Sequence, residues 1–143
     1  MTSHESAVLE LFQQRSDAMG AKDIERLMSL YADDVVYFDL VPPLRYSGAE
    51  ALRARFVDWF ARWEGSIGQE LHEPEVAADE RVATAHMLVR ASGTLRAGGS
   101  VDYFVRVSNG CRRVDGRWVI THEHVSLPVD LSAGGRAVMD LVP

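Results

Sequence analysis

The sequence has a single cysteine, Cys111, among its 143 residues, so the chain cannot form a disulfide with itself. That excludes a disulfide-stapled scaffold and favours a reducing compartment. No apolar run approaches the ~20 residues that a bilayer-crossing helix needs. The start, Met1-Thr2-Ser3-His4-Glu5, lacks the basic region and apolar stretch of a signal peptide, and a cytoplasmic location is expected. Positive charge is also scarce: 15 Lys and Arg stand against 21 Asp and Glu, a net charge of −6. Nucleic acid and anionic membrane call for a concentrated basic face, so neither is an expected partner. The one local basic cluster, Arg112, Arg113 and Arg117, flanks a turn signal and reads as a solvated hairpin tip. Repeats and low-complexity segments are absent, and Gly98-Gly99 is a turn without a phosphate-loop pattern. No cofactor is expected.

What is there is the length of one domain, with helices first and strands after. Val8, Leu11, Phe12 and Met19 keep helical spacing behind a Thr2/Glu5 capping box, and Gly20 closes that helix. Asp23 is placed to cap a short second helix with Ile24, Leu27, Met28 and Tyr31 on one face. Val35 to Asp39 is β-branched and aromatic and ends before Pro42-Pro43, so it predicts a strand. Ser47-Gly48-Ala49-Glu50 reads as a capping box opening a third helix. That helix carries Leu52, Phe56, Trp59, Phe60 and Trp63 in one stripe and stops at Gly65.

From Gln69 onward the pattern is strands: Gln69 to Ala77 at an edge marked by Pro74, then Val82 to Ala91, Val101 to Val114, and Trp118 to Leu127. Asp79-Glu80, Ala97 to Ser100 and Asp115-Gly116 carry the turn chemistry between them. Asn109-Gly110 predicts a bulge that bends the long third strand. The fold class expected is α+β: a cone-shaped roll with three N-terminal helices on a strongly curved, mainly antiparallel sheet that encloses a pocket. Residues 1–128 form this domain and 129–143 a partly apolar tail. Both faces of the Val82 to Arg90 strand carry apolar groups, which predicts a homodimer through the outer face of the sheet.

The segment Leu30 to Val36, then Phe38-Asp39 and Tyr46-Ser47-Gly48, resembles the start of ketosteroid isomerases and SnoaL-like polyketide cyclases of the nuclear transport factor 2-like superfamily. Phe38 to Leu44, Asp115 to Trp118 and His122 to Pro128 resemble a SnoaL-like bacterial branch more closely, so that the likeness spans nearly the whole chain to Pro128.

The resemblance places Asp39 on the general base. A carboxylate at the end of an apolar strand, partly withdrawn from water, gains basicity suited to taking a proton next to a carbonyl. The plain structural role for Asp39 is a strand-end acceptor of backbone N–H groups, and a cation such as Arg15 or Arg45 would offset its burial. Asp102 falls on the neutral oxyanion-hole acid of the resemblance. On strand period it shares a face with Phe104 and Arg106, and a pair with Arg106 would keep it ionised. Arg15 stands where the resemblance has a tyrosine donor. Steroid isomerisation is therefore not expected, and an anionic or enolate-bearing ligand is favoured.

His122 and His124 alternate with Glu123, and strand period places them with Trp118, Ile120 and Ser126 on the inner face. There they would line the pocket or act as an acid–base pair, and no metal is expected. Tyr37, Phe56, Trp59, Phe60, Trp63, Phe104, Trp118, Ile120 and Ser126 are the expected pocket wall. Three readings follow: an isomerase, cyclase or dehydratase acting on a small apolar carbonyl compound; a ligand-binding or assembly domain without chemistry; and an epoxide-opening hydrolase using Asp39, Arg106 and Asp102.

Overall fold

The computed structural model describes residues 1–143. Helix α1 (Ser3–Gly20) starts at the expected capping box: Thr2 accepts from the Glu5 amide, and Glu5 reaches back to the Thr2 amide. Its Val8, Leu11, Phe12, Ala18 and Met19 are buried. Asp23 caps α2 (Ile24–Met28) by accepting the Arg26 amide. Tyr31 does not belong to α2, as its helical spacing suggested, but opens β1 (Tyr31–Phe38). The Tyr46–Ser47 bridge, β2, pairs antiparallel with β1. Helix α3 (Ala49–Ala61) therefore has Gly48 as its N-cap, at φ 89° and without a side-chain bond, so the Ser47 capping box does not form. Ser47 is committed to the strand pair instead.

Trp63 leaves the α3 stripe and begins β3 (Trp63–Ala78), an edge strand longer than the sequence suggested; Gly65 lies inside it. Then follow β4 (Val82–Leu95), β5 (Ser100–Val114) and β6 (Arg117–Ser126). The sheet order is β2-β1-β6-β5-β4-β3, antiparallel throughout except for the β1–β6 pair. The fold is thus α+β, with N-terminal helices packed on a six-stranded, mostly antiparallel sheet. After β6 the chain makes a small hairpin, β7 (Val129–Asp130) with β8 (Arg136–Ala137), around a 3-10 turn.

The core lies between α1, α3 and the concave face, where Ala83, Ala85, Met87, Val89 and Ala91 alternate inward along β4. Helix α1 packs mainly on β3. Gly20 marks a close approach there: a Cβ at this position would sit 2.8 Å from the Ile67 carbonyl oxygen of β3. Asp115 and Gly116 take φ of 51° and 77°, which fits the two-residue turn expected between β5 and β6.

One irregularity decides where the site residues point. The β5–β6 register shifts between Gly110 and Cys111: Gly110 faces His122, while Cys111 faces Ile120. Thr121 is the extra residue, and its hydroxyl donates to the Gly110 carbonyl at 3.1 Å. The bulge foreseen at Asn109-Gly110 is there, but the additional residue belongs to the neighbouring strand. Period-two counting therefore breaks at Thr121. Trp118 and Ile120 face inward before it, Glu123 and Val125 after it, and His122 and His124 fall on the other face.

Candidate active site

A cavity of about 70 Å³ opens between α1, α3 and the concave sheet face. At roughly 10–15 Å³ per water position, it has room for about five waters, the space of one six-membered ring. Met19 and Arg15 of α1, Arg55, Phe56 and Trp59 of α3, and Tyr37 of β1 form one side. Gln69, Val89, Ala91, Tyr103, Val105, Val107 and Val125 of β3 to β6 form the other, with Asp39 and Leu40 completing the wall.

Two arginine–carboxylate pairs interrupt this apolar lining. The first sits at the deep side. The Arg15 Nε and Nη2 donate to Glu123 Oε1 at 3.1 and 2.8 Å, and Tyr31 donates to the same oxygen at 2.7 Å. Arg15 Nε also reaches the Tyr31 hydroxyl at 2.9 Å. Glu123 is fully buried and the Arg15 side chain is 7% exposed. Burial opposes charge on Arg15, but the neighbouring Glu123 outweighs it and holds the guanidinium firmly protonated. The Tyr31 hydroxyl is pushed well above its usual value, first by burial and then by Glu123 beside it.

The second pair lies nearer solvent, beside Leu40. Arg55 Nε donates to Asp39 Oδ2 at 2.6 Å, and the Leu40 amide donates to Asp39 Oδ1 at 2.7 Å. Asp39 thus has the turn contact expected of a strand-end carboxylate and a place on the cavity wall as well. Its cation is Arg55, not Arg15 or Arg45. Burial disfavours the Arg55 charge, and the hydrogen bond and charge of Asp39 more than restore it. Burial and the charge of Asp39 raise the Tyr103 hydroxyl, while Arg55 pulls it back. Tyr103 is therefore a neutral donor beside a carboxylate.

Of the residues singled out in the sequence, the cavity brings together Asp39, Arg15, Tyr37, Phe56 and Trp59. Phe60, Trp63 and Ile120 are buried in the core without lining it. Trp118 lies under α1, edge-on to His4 with ring centroids 5.9 Å apart. The rest fall on the outer face. Asp102 pairs with Arg90, not Arg106, at 2.6 and 2.8 Å, and this guanidinium holds the carboxyl below its usual range. Arg106 donates to Ser126 at 3.0 Å. Phe104 stacks edge-on with His72. His122 Nδ1 bonds the Val36 carbonyl at 2.7 Å, and both His122 and His124 flank the Phe38 ring.

The reason is parity. Tyr103, Val105 and Val107 face the cavity, so Asp102, Phe104 and Arg106 cannot; the Thr121 bulge then turns the two histidines away. No group of three or more His, Cys, Asp or Glu is arranged to hold a metal ion. Sequence reasoning missed Arg55, Tyr103 and Glu123. The first two carry a signal: Arg55 adjoins Phe56 and precedes Trp59 by one turn, and Tyr103 alternates with Val101, Val105 and Val107. Glu123 does not, because its direction depends on the bulge.

Residues 8–130 match the SnoaL-like domain family. The chain belongs to that family. The SnoaL-like chain is similar to an NTF2-like protein of unknown function from Pseudomonas putida KT2440, at 31% identity, with 97% of this chain and 96% of that one covered and a TM-score of 0.87. It shares its fold with a ketosteroid isomerase-like protein from Erwinia carotovora atroseptica SCRI1043 at 17% identity, 88% and 97% coverage and a TM-score of 0.76. The same holds for an NTF2-like family protein from Streptomyces avermitilis, proposed to be a dehydratase, at 20% identity, 85% and 93% coverage and a TM-score of 0.74. No functionally curated protein matches the SnoaL-like chain. None of its helices is long and apolar enough to cross a membrane.

Proposed function

We propose that the cavity binds a ring-sized, mostly apolar carbonyl compound and that Asp39 takes a proton from the carbon next to its carbonyl, as in isomerase, cyclase or dehydratase chemistry. The observation that carries this reading is the Asp39 carboxyl group, held by Arg55 at 2.6 Å, on the wall of a mostly apolar cavity. Arg55 and the turn amide fix its orientation, which suits abstraction from a bound ligand. Tyr103 and Arg15 supply donors for the oxygen that gains charge. The dehydratase proposed for the Streptomyces avermitilis protein is consistent with such chemistry. The epoxide-opening set of Asp39, Arg106 and Asp102 is not assembled, since two of its members lie on the outer face. The alternative that remains is a binding domain without chemistry.

Proton exchange separates the two. Ring-sized ketones incubated with the protein in heavy water should exchange their α-protons faster than in buffer, read by proton NMR. Asp39→Asn should slow that exchange by about 10²–10⁴-fold while leaving ketone binding in place. Binding without exchange in the wild type would make this a carrier or sensor domain instead.

A further inference from the structure

We infer that Glu123 sets the charge preference of the cavity: by neutralising Arg15 from behind, it makes the site accept uncharged carbonyl compounds and reject carboxylates of the same size. The inference rests on the small-molecule reading above and names the ligand class more closely.

An arginine on an apolar cavity wall ordinarily attracts a carboxylate. Here the guanidinium is already matched. Its Nε and Nη2 are taken by Glu123 Oε1, and that oxygen also receives the Tyr31 hydroxyl. Arg15 nevertheless lines the cavity. Its third nitrogen, Nη1, makes no hydrogen bond within the protein and is not among the fully occluded polar atoms. What it presents to a ligand is the Nη1 amino group, a directed hydrogen-bond donor whose charge Glu123 balances from behind.

The charge count supports this. Arg15 and Arg55 contribute two positive charges at the cavity, Glu123 and Asp39 two negative ones. Asp58, 3.8 Å from Arg55, is 63% exposed and faces solvent. A bound carboxylate would therefore add an unmatched negative charge to a low-dielectric space. It would also meet Asp39 if it turned toward Arg55. A ketone or aldehyde oxygen needs only a donor, and Nη1 is one.

No other group alters the count. Asn109 is the cross-strand partner of Glu123, and both its amide atoms are buried and unpaired, as is Glu123 Oε2. Asn109 carries no charge to offset Glu123, so Arg15 is its sole cationic partner.

Acetophenone and benzoate, alike in size and shape, test this by NMR titration at neutral pH. The wild type should bind acetophenone more tightly than benzoate by on the order of tenfold or more. Glu123→Gln keeps the shape and removes the charge. It should raise benzoate affinity by about tenfold while acetophenone changes little. A double variant, Arg15→Met with Glu123→Met, removes both charges without stranding either one. It should weaken acetophenone and bring no gain for benzoate, which shows that the gain in Glu123→Gln comes from the released guanidinium. A wild-type preference for benzoate, or an unchanged ratio in Glu123→Gln, would overturn the inference and leave the small-molecule reading intact. Binding of neither probe to the wild type would overturn both. If Glu123→Gln fails to fold, the wild-type ratio and the double variant decide.

Discussion

The cavity is served by two arginine–carboxylate pairs built in opposite ways. At Arg15–Glu123 the carboxylate is fully buried, one of its oxygens takes three donors, and the partners come from α1 and β6, 108 residues apart. At Arg55–Asp39 the partners are 16 residues apart and the pair borders solvent, with side chains 15% and 7% exposed. The first pair joins the helical layer to the sheet. The second holds one carboxylate in place. A third pair on the outer face, Arg90–Asp102, has better bidentate geometry than either but lies in solvent. Hydrogen-bond geometry is therefore a poor guide to what a pair does, and burial is the better one.

Breaking the pairs one at a time should rank them. Arg15→Ala strands a buried carboxylate and should cost about 3–5 kcal/mol of stability, measured by urea denaturation. Arg55→Met should cost less, about 1–3 kcal/mol, since Asp39 keeps its turn amide and some water. If the two losses were equal, the Arg15–Glu123 pair would not be the tie between helices and sheet.

Alkaline pH probes the same buried region more gently. Burial, with Glu123 close by, pushes the Cys111 thiol up to about 12 from 9.0 and raises the Tyr31 and Tyr37 hydroxyls well above their usual 10.0. The unfolded chain loses these protons first. Stability is then fully present below about pH 9 and declines as pH rises toward the folded-state values. Urea midpoints between pH 8 and 11 should fall accordingly, and Cys111→Ala should move the onset from about 9 toward 10. An onset unchanged by that substitution would mean the thiol is not shielded. The smallest effect is expected outside: Asp102→Asn should leave urea midpoint and acetophenone affinity unchanged, and a loss of ligand binding would reopen a role for the outer face.

The same contrast explains what could be read from the sequence. The Asp39 pair is nearly local, and Asp39 announces itself as a charge closing an apolar strand. The order of helices and strands and the hairpin turns are local too, carried by Thr2, Asp23, Asp79 and Asp115-Gly116. The Glu123 pair is not local. Its direction depends on one residue, Thr121, whose insertion changes the count along β6. A regular alternation carried through that position turns Glu123 outward and His122 and His124 inward. For Asp102, Phe104 and Arg106 the alternation itself was sound. The face was mistaken, because Phe104 is apolar and yet lies outside.

The close contact at Gly20 bears on how the cavity can change size. Helix α1 meets β3 there with no side chain between them, and about 7.5 Å back along the helix Arg15 is tied to β6. A rod resting on two abutments can neither roll about its axis nor tip away from either. The α1 side of the cavity is in that sense masonry. On the α3 side Arg55, Phe56 and Trp59 stand on a helix held at both ends by backbone bonds, from the Gly48 amide to the Val35 carbonyl and from the Arg96 amide to the Arg62 carbonyl. Gly20→Ala would act as a wedge under one end, lifting Arg15 from Glu123 without touching either residue.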